Sequence, residues 1–328
     1  MTTIKDIAAK AGVSVSTVSR ILNKQGNYSK KTIDKILSIA NNLNYQKNEN
    51  ASELAQAKNS NVIGVILTTA QSSFLSKIID GIEDTAYRNN MRVLLAHCGH
   101  FDKDRLHNCL TLMMGQKVRG IISISVQFDE DNLKLLQKSD LKLISLNVQV
   151  PGYPAISINN YDAAYVGTQY LINQGHKKIA LVSIEDNDPQ TGYERTAGYT
   201  KALLDNGIFL DKGLIIPGDY SFESGKQNFK DSLSLPTKPT AFFAGSDDAA
   251  AGVISSAITL GYNIPNDFSV LGFDDSKISE MINPELSTIH QPFYEMGQNG
   301  VLHLIDNDLN SKNFNFNIIK RNSIKHLY

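Results

Sequence analysis

The sequence predicts a small all-α helix-turn-helix headpiece followed by a two-lobed α/β core with parallel sheets. Three observations carry this. Residues 4–23 hold two short stretches of helical apolar spacing separated by Gly12. From Val62 onward, short apolar runs alternate with helical segments, as strands and covering helices of a parallel sheet do. The block 62–328 is too long for one such sheet, so two side-by-side lobes joined by crossovers are expected.

In the headpiece, Ile4, Ile7, Ala8 and Ala11 can share one buried face. Gly12 has no Cβ and suits the end of that helix. Ser14 is a good N-cap for the second helix, whose apolar stripe is Val18, Ile21 and Leu22. Its other face carries Val15, Ser16, Thr17, Ser19 and Arg20. Small, hydroxyl-rich, with one guanidinium and no carboxylate, that face suits a helix in a DNA major groove. The same pattern also fits a hairpin that only packs. A third helix is expected from Ser29 to about Tyr45, with Ile33, Ile36, Leu37, Ala40 and Leu43 on one face. Ser29 is its expected cap, and Lys30 and Lys31 beside it can meet phosphates. Residues 46–60 are polar, with helix formers over Asn50–Ala57 and one lone leucine, Leu54.

The charge is divided. Residues 1–60 hold nine Lys/Arg and four Asp/Glu, a net of +5, and the remainder 23 and 29, a net of −6. A cationic end on an acidic body fits a nucleic-acid module joined to a different function. Of 328 residues, 41% are hydrophobic and 20% charged, the profile of a soluble globular protein. No apolar run approaches bilayer length and no signal peptide opens the chain, so no membrane partner is expected. Two cysteines, Cys98 and Cys109, make no disulfide framework and have no nearby metal-ligand spacing, which points to buried thiols in a reducing cytoplasm.

The N-terminal stretch closely resembles the DNA-binding headpiece of the lactose/galactose repressor (LacI/GalR) family of bacterial transcription regulators. The residues that carry the match are Asp6-Ile7-Ala8, Ala11-Gly12-Val13-Ser14, Thr17-Val18-Ser19-Arg20 and Asn23. Ser29, Thr32, Ile36, Ala40, Leu43-Asn44-Tyr45, Asn48, Ala51 and Leu54 continue it in register. The resemblance implies DNA contacts from Thr3, Ser14, Val15, Ser16, Thr17, Ser19, Arg20, Asn23, Ser29, Lys30, Asn48, Ala51 and Leu54. It implies that 49–60 folds into a hinge helix when two subunits sit on operator DNA, with Leu54 wedged into the minor groove. By composition alone, the segment reads equally as a flexible linker with an incidental leucine. Lys47 stands where the family commonly has Pro, and Ser52 where it often has Arg.

In the core, candidate strands are Val62–Leu67, Arg92–Ala96, Gly120–Ile124, Leu143–Leu146, Ile179–Ser183, Ala241–Ala244 and Ser269–Phe273. Helical patterns between them include Phe74–Asn89, Tyr161–Asn173, Thr196–Asn206, Ala249–Leu260 and Tyr294–Asp306. The arrangement is similar to that of periplasmic sugar-binding proteins. The resemblance places crossings between lobes near 159, 290 and 318. The expected organisation is therefore 1–48 headpiece, 49–60 hinge, and 61–328 core, its lobes being about 61–159 with 291–317 and 160–290 with 318–328.

Ligands of open parallel sheets bind beyond the carboxyl ends of the strands. That rule selects Thr68 to Phe74 (with Ser72), Asn147, Ser246-Asp247 and Asp274-Asp275, and the helix and loop between add Arg195, Tyr220 and Phe222. Gln291, at the second crossing, completes the expected effector set. Sugar recognition needs planar polar groups for adjacent hydroxyls, a role for Arg195, Asn147 and Asp274. It also needs an aromatic face for the ring's C–H patch, a role for Tyr220, Phe222 and Phe74. Asn147 and Ser246 stand where lactose-type members carry Asp and Asn. Plain alternatives exist. Asp247 reads as the cap of the helix near Ala249, Asp275 as a capping carboxylate behind the site, and Arg195 as half of an ion pair across the cleft. His176 reads as a residue just past a helix C-terminus, favourable if charged.

No catalytic constellation, dinucleotide fingerprint or metal set is present, and no cofactor or enzyme activity is expected. The reading is a homodimeric repressor of a carbohydrate-utilisation operon, bound to a pseudo-palindromic operator and released by a small sugar, with galactose favoured by the resemblance. A same-fold regulator with a purine or protein co-repressor is the alternative. The chain carries no heptad tail, so tetramers are not expected.

Overall fold

The computed structural model describes residues 3–22, 26, 28–43, 61–68, 72–139, 141–185 and 188–327. Of the sequence expectations, Asn23, Asn48, Ala51, Leu54 and the whole of 49–60 lie outside the described residues. The chain divides into two compact units, Met1–Ser60 and Asn61–Tyr328.

Three helices build the first unit: α1 (Ile4–Ala11), α2 (Val15–Leu22) and α3 (Lys30–Asn42). Gly12 ends α1 at φ 68°, a left-handed conformation that a Cβ would strain. Lys35 of α3 donates to the orphan carbonyl of Ala11 at 2.9 Å, so the cap also ties α3 to α1. Ser14 caps α2, its Oγ accepting from Thr17 N at 3.1 Å, and Ser29 caps α3 by accepting from Thr32 N at 3.3 Å. The core is Ile7, Ala8, Ala11, Val18, Ile21, Ile36 and Ala40. Leu37, expected on the buried face of α3, is 43% exposed. It lies a hundred-degree step around the helix from Ile36, and two short helices cover only a narrow stripe.

The second unit contains two six-stranded sheets. The first has the order β11-β5-β4-β3-β1-β2, from β1 (Val62–Leu67), β2 (Arg92–His97), β3 (Gly120–Ile124), β4 (Lys142–Leu146), β5 (Ala155–Ile158) and β11 (Lys312–Phe314). The second has the order β12-β10-β9-β8-β6-β7, from β6 (Ile179–Ile184), β7 (Ile215–Pro217), β8 (Ala241–Ala244), β9 (Ser269–Asp274), β10 (Ser287–His290) and β12 (Asn317–Ile319). All neighbours pair in parallel except β12, which runs antiparallel to β10. The chain passes between sheets after Ile158, between His290 and Phe293, and between Phe314 and Asn317.

Helices cover both faces, which is why β3 and β6 are largely apolar and buried at every residue; their serines, Ser123 and Ser183, donate to Ser145 Oγ and Asn228 Oδ1. On the first sheet, α4 (Leu75–Arg88) and α12 (Phe293–Asp306) bury Ile78, Ile82, Met296 and Val301 against Val65, Ile122 and Ile144. On its other face, α5 (Lys103–Gly115) and α6 (Glu130–Gln137) bury Leu110, Met113 and Leu136 against Ile66, Ile121 and Leu143. On the second sheet, α7 (Asn160–Asn173) and α8 (Thr191–Asp205) set Leu171 and Tyr199 against Leu181 and Phe243. Opposite them, α9 (Phe222–Ser232) and α10 (Asp247–Thr259) set Phe229 and Val253 against Val182 and Phe242. A short α11 (Ile278–Met281) precedes β10. The α9–α10 contact is close enough that a Cβ on Gly252 would stand 2.0 Å from the Phe222 carbonyl oxygen. Among the described residues, no helix is long and apolar enough to cross a membrane.

Strands β5, β7, β10, β11 and β12 go beyond those expected from sequence. They are three or four residues long and several are polar. In β10, Ser287 and Thr288 are buried because each is paired: Ser287 N donates to Ser323 Oγ at 2.8 Å, and Thr288 Oγ1 to Asp247 Oδ1 at 2.5 Å.

His176 corrects its expectation. It follows the C-terminus of α7 as expected, but it is buried, with Nδ1 3.0 Å from Thr240 Oγ1 and Nε2 2.9 Å from Ser269 Oγ, which does not suit a charged ring. Burial pulls the imidazole below its ordinary value of 6.5, so the neutral ring is the folded form. The unfolded chain then binds the extra proton, and stability from this site is full above that value and lost as pH falls below it. The stability gap between the protein and His176→Gln, read by urea unfolding, should narrow between about pH 7.5 and about pH 5.5; a flat gap would refute the assignment. Gly252→Ala should lower unfolding stability by about 1–3 kcal/mol, since backbone rather than a flexible side chain must yield.

Candidate functional site

Two surfaces carry the residues singled out by sequence. On α2, Val18 and Ile21 face the core, so helix geometry turns Val15, Ser16 and Arg20 outward; Val15 is 44% exposed. Thr17 and Ser19 flank them half-buried. The hydroxyls of Ser16 and Thr17 each lie 2.8 Å from Ser14 Oγ, which fixes the first turn of that face. Thr3 is exposed, and both its N–H and its hydroxyl donate to Asp6 Oδ2 at 2.8 Å. Ser29 and Lys30 lie exposed at the start of α3. The outward surface of α2 is thus a short apolar contact, hydroxyls and one free guanidinium, with no carboxylate in the helix.

In the core, the carboxyl ends of strands from both sheets enclose a cleft of about 790 Å³. Thr68, Ser72, Phe74, Asn147, Arg195, Tyr220, Phe222, Ser246, Asp274 and Gln291 all line it. Arg195 is 7% exposed, and neutral acceptors hold it: Nε donates to Asn160 Oδ1 at 3.0 Å and Nη1 to the Gly245 carbonyl at 2.6 Å. Its guanidinium lies 3.5 Å above the centre of the Phe273 ring. No carboxylate pairs with it across the cleft among the described residues, which removes the ion-pair alternative. Asp274 sits at the end of β9, 7% exposed, with Oδ1 accepting from Gln291 Nε2 at 2.8 Å. Burial raises its carboxyl well above the usual range, and the nearby Arg195 only partly opposes this.

Asn147 donates through Nδ2 to Ser125 Oγ at 3.0 Å, while its Oδ1 is buried without a partner. That leaves one acceptor free at the cleft wall. Phe74 and Phe293 stack with centres 4.9 Å apart, and Tyr220 and Phe222 stand at the start of α9. The Tyr220 hydroxyl donates to Asp188 Oδ2 at 2.9 Å.

Two carboxylates differ from expectation. Asp247 is not the cap of α10. Ser246, in extended backbone, is; its Oγ accepts from Ala249 N at 3.0 Å and donates to the Tyr220 carbonyl at 2.6 Å. Asp247 is already helical and turns inward, accepting from Ser276 N at 2.7 Å and from Thr288. Burial pushes its carboxyl up to about 7. Asp275 caps no helix and is held by Arg321 at 2.7 Å and His290 at 2.9 Å, with its carboxyl down to about 2 despite partial burial.

The cleft also contains residues the sequence reading passed over. Asp188 accepts from Tyr220 and, at 3.4 Å, from Gln127 of the other lobe. Asp248 accepts from Ser73 N at 3.0 Å and from the Ser73 hydroxyl, again across the lobes. Lys77 reaches the Asp275 carbonyl at 2.8 Å, His100 reaches Glu185 at 2.9 Å, and Gln149 and Gln190 exchange bonds of 2.6 and 2.8 Å. Asp188 and Glu185 follow β6, so the rule that selected Asn147 after β4 reaches them too.

Comparison with known proteins then decides the family. Residues 3–48 match the model described as bacterial regulatory proteins, lacI family, and residues 168–313 match a periplasmic binding protein-like domain. Catabolite control protein A of Priestia megaterium is 34% identical over 297 residues, covering 90% of this chain and 89% of that one. The chain belongs to the lacI family of bacterial regulatory proteins. Among solved lacI-family structures, the lac repressor dimer bound to operator and the anti-inducer ONPF matches at TM-score 0.83 and 27% identity, over 99% of each chain. A regulator from Enterococcus faecium with bound ribose matches at TM-score 0.74 and 28% identity, over 81% of this chain and all of that one. The chain is accordingly a lacI-family DNA-binding transcriptional repressor with a ligand-binding core.

Because Ser246 serves as the cap of α10 and as an anchor for Tyr220, Ser246→Ala should lower unfolding stability by about 1 kcal/mol in urea titration. An unchanged midpoint would show that the cap contributes nothing.

Proposed function

We propose that this lacI-family repressor controls a carbohydrate-utilisation operon and leaves its operator when a small sugar occupies the core cleft. The observation that carries the reading is the lining of that cleft: planar polar groups (Arg195, Asn147, Asp274 and Gln291) stand with aromatic faces (Phe74, Tyr220 and Phe222) around one cavity. Adjacent hydroxyls are met by groups with paired donors or acceptors, and the C–H face of a sugar ring by an aromatic face. The ribose held by the Enterococcus faecium regulator supports this choice of ligand class.

On DNA, two headpieces of a homodimer meet the halves of a pseudo-palindromic operator. Val15, Ser16 and Arg20 read base edges, flanked by Thr17, Ser19 and Asn23, while Thr3, Ser14, Ser29, Lys30 and Asn48 position the unit on phosphates. Ala51 and Leu54 belong to the hinge that enters the minor groove at the centre of the site. The dimer forms through the core. Sugar releases operator because it binds better to the lobe arrangement that is incompetent for DNA.

Arg20→Ala should lose roughly tenfold to a hundredfold of operator preference over unrelated DNA in a gel-shift series, as expected for removing one base-reading guanidinium. Unchanged preference counts against the assignment. Arg195→Ala should keep operator affinity while calorimetry with D-galactose, or whichever sugar the parent protein binds, gives no heat; persistent sugar binding removes Arg195 from the site.

A further inference from the structure

We infer that the cleft takes an uncharged sugar and rejects its phosphorylated form. This rests on the sugar reading above and narrows it to one chemical class.

Charge is the first ground. Eight of the described lining residues carry a carboxylate, against two permanent cations, Lys103 and Arg195. The third basic group, His100, lies 2.9 Å from Glu185. Neighbouring residues 69–71 and 186–187 contain no Lys or Arg.

The second ground is how Arg195 is bound. A guanidinium recognises phosphate or carboxylate by presenting two parallel N–H groups. Here Nε and Nη1 are already committed to Asn160 and Gly245, and the flat face lies on Phe273. With Nε taken, the edge that runs through it is closed to a bidentate anion, and the N–H groups left for a ligand are on Nη1 and Nη2. Facing it, Asp274 is 7% exposed, and its Oδ2 has no hydrogen-bond partner among the described residues. An unpartnered carboxyl oxygen in such a position can pair with a ligand hydroxyl.

The helix ends supply the third ground. Parallel sheets point helix N-termini at the cleft, and free N-termini attract anions. In this chain several of those ends are filled from within, while α4, α8 and α12 begin without a side-chain cap. Asp248 accepts from Ser73 N ahead of α4 at 3.0 Å. Asp102 accepts from Arg105 N in α5 at 2.9 Å, and Asp129 from Asp131 N in α6 at 3.0 Å. Ser221 and Ser246 cap α9 and α10, whose first turns carry Glu223, Asp247 and Asp248. At the starts of α5, α6, α9 and α10, a first-turn N–H is thus already taken by a side chain of this chain.

The test uses the full chain and calorimetry, with thermal shift as a screen. The probes are D-galactose, D-glucose and D-ribose, the 6- or 5-phosphates of the same sugars, inorganic phosphate alone, and the bases hypoxanthine and guanine. At least one neutral sugar should bind saturably, with its phosphate ester at least about a hundredfold weaker, the scale on which like charges are discriminated. Inorganic phosphate should give no saturable shift. Asp248→Asn, which keeps an acceptor for Ser73 but loses the charge, should narrow the ratio about tenfold. A phosphate ester that binds as tightly as its parent sugar, phosphate that competes with the sugar, or a ratio untouched by Asp248→Asn overturns the inference. Binding of a purine base with no response to any sugar defeats the sugar reading instead, and the inorganic phosphate arm still reports on charge exclusion.

Discussion

In both core sheets a strand lies parallel to its neighbours, with β12 the exception, and a parallel strand cannot be joined to the next by a tight turn. A crossover must carry the chain back each time, and it contains a helix except between β4 and β5, where a loop suffices. The carboxyl ends of the strands and the N-termini of the helices therefore gather at the same edge of each sheet. Sequence enters after that constraint. Gly120–Ile124 and Ile179–Ile184 are largely apolar on both faces because helices cover both, and the serine that each carries lies near its carboxyl end. The residues that follow β1, β4, β8 and β9 line one cavity for this reason. The same geometry would turn the cleft into an anion trap, since positive helix ends converge on it. Asp102, Asp129 and Asp248, each accepting from a backbone N–H beside a helix start, oppose that tendency.

Burying charge at such an edge is expensive unless the environment is built for it. Arg195 illustrates the solution for a cation. It forgoes an ion pair and takes a carbonyl, an amide oxygen and an aromatic face, so it stays charged without binding tightly to one anion. The carboxyls nearby follow another course. Asp247 gathers hydrogen bonds from Ser276 and Thr288, yet burial still drives it up to about 7. Asp275 pairs directly with Arg321 and His290 and stays down at about 2. Adjacent residues on one strand end thus hold opposite tendencies, because Asp274 faces the cleft floor and Asp275 faces a cation.

Much of this was legible in the residues alone, for physical reasons that also mark the limits. Val62–Leu67, Gly120–Ile124 and Ala241–Ala244 match their strands end to end, since an apolar run bounded by polar residues has few alternatives. Ser287–His290 was illegible, because its burial is carried by hydrogen bonds to Ser323 and Asp247, distant in sequence. The place of His176 after a helix was legible, but its burial was not, for the same reason: its partners Thr240 and Ser269 are distant in sequence. The exchange of roles between Ser246 and Asp247 turned on a single backbone step into the helix, finer than periodicity can place. For the cleft, strand ends could be read from spacing, while the cross-lobe bonds of Asp188, Asp248 and Glu185 depend on how two sheets face each other.

Those cross-lobe bonds also bear on how a ligand can regulate. A ligand that touches both lobe arrangements equally shifts nothing, however tightly it binds. Most of the cleft wall belongs to one lobe or the other and would hold a sugar alike in either arrangement. Ser73 to Asp248, Gln127 to Asp188 and His100 to Glu185 are different, since each exists only while the lobes stand as they do. Their acceptors also line the cavity. A hydroxyl that takes up one of these carboxylates competes directly with the bond that fixes the lobes, and one that bridges the same pair strengthens it. On the proposed reading, the direction of the response would be set at Asp188, Asp248 and Glu185 more than at Arg195, whose hydrogen bonds stay within its own lobe.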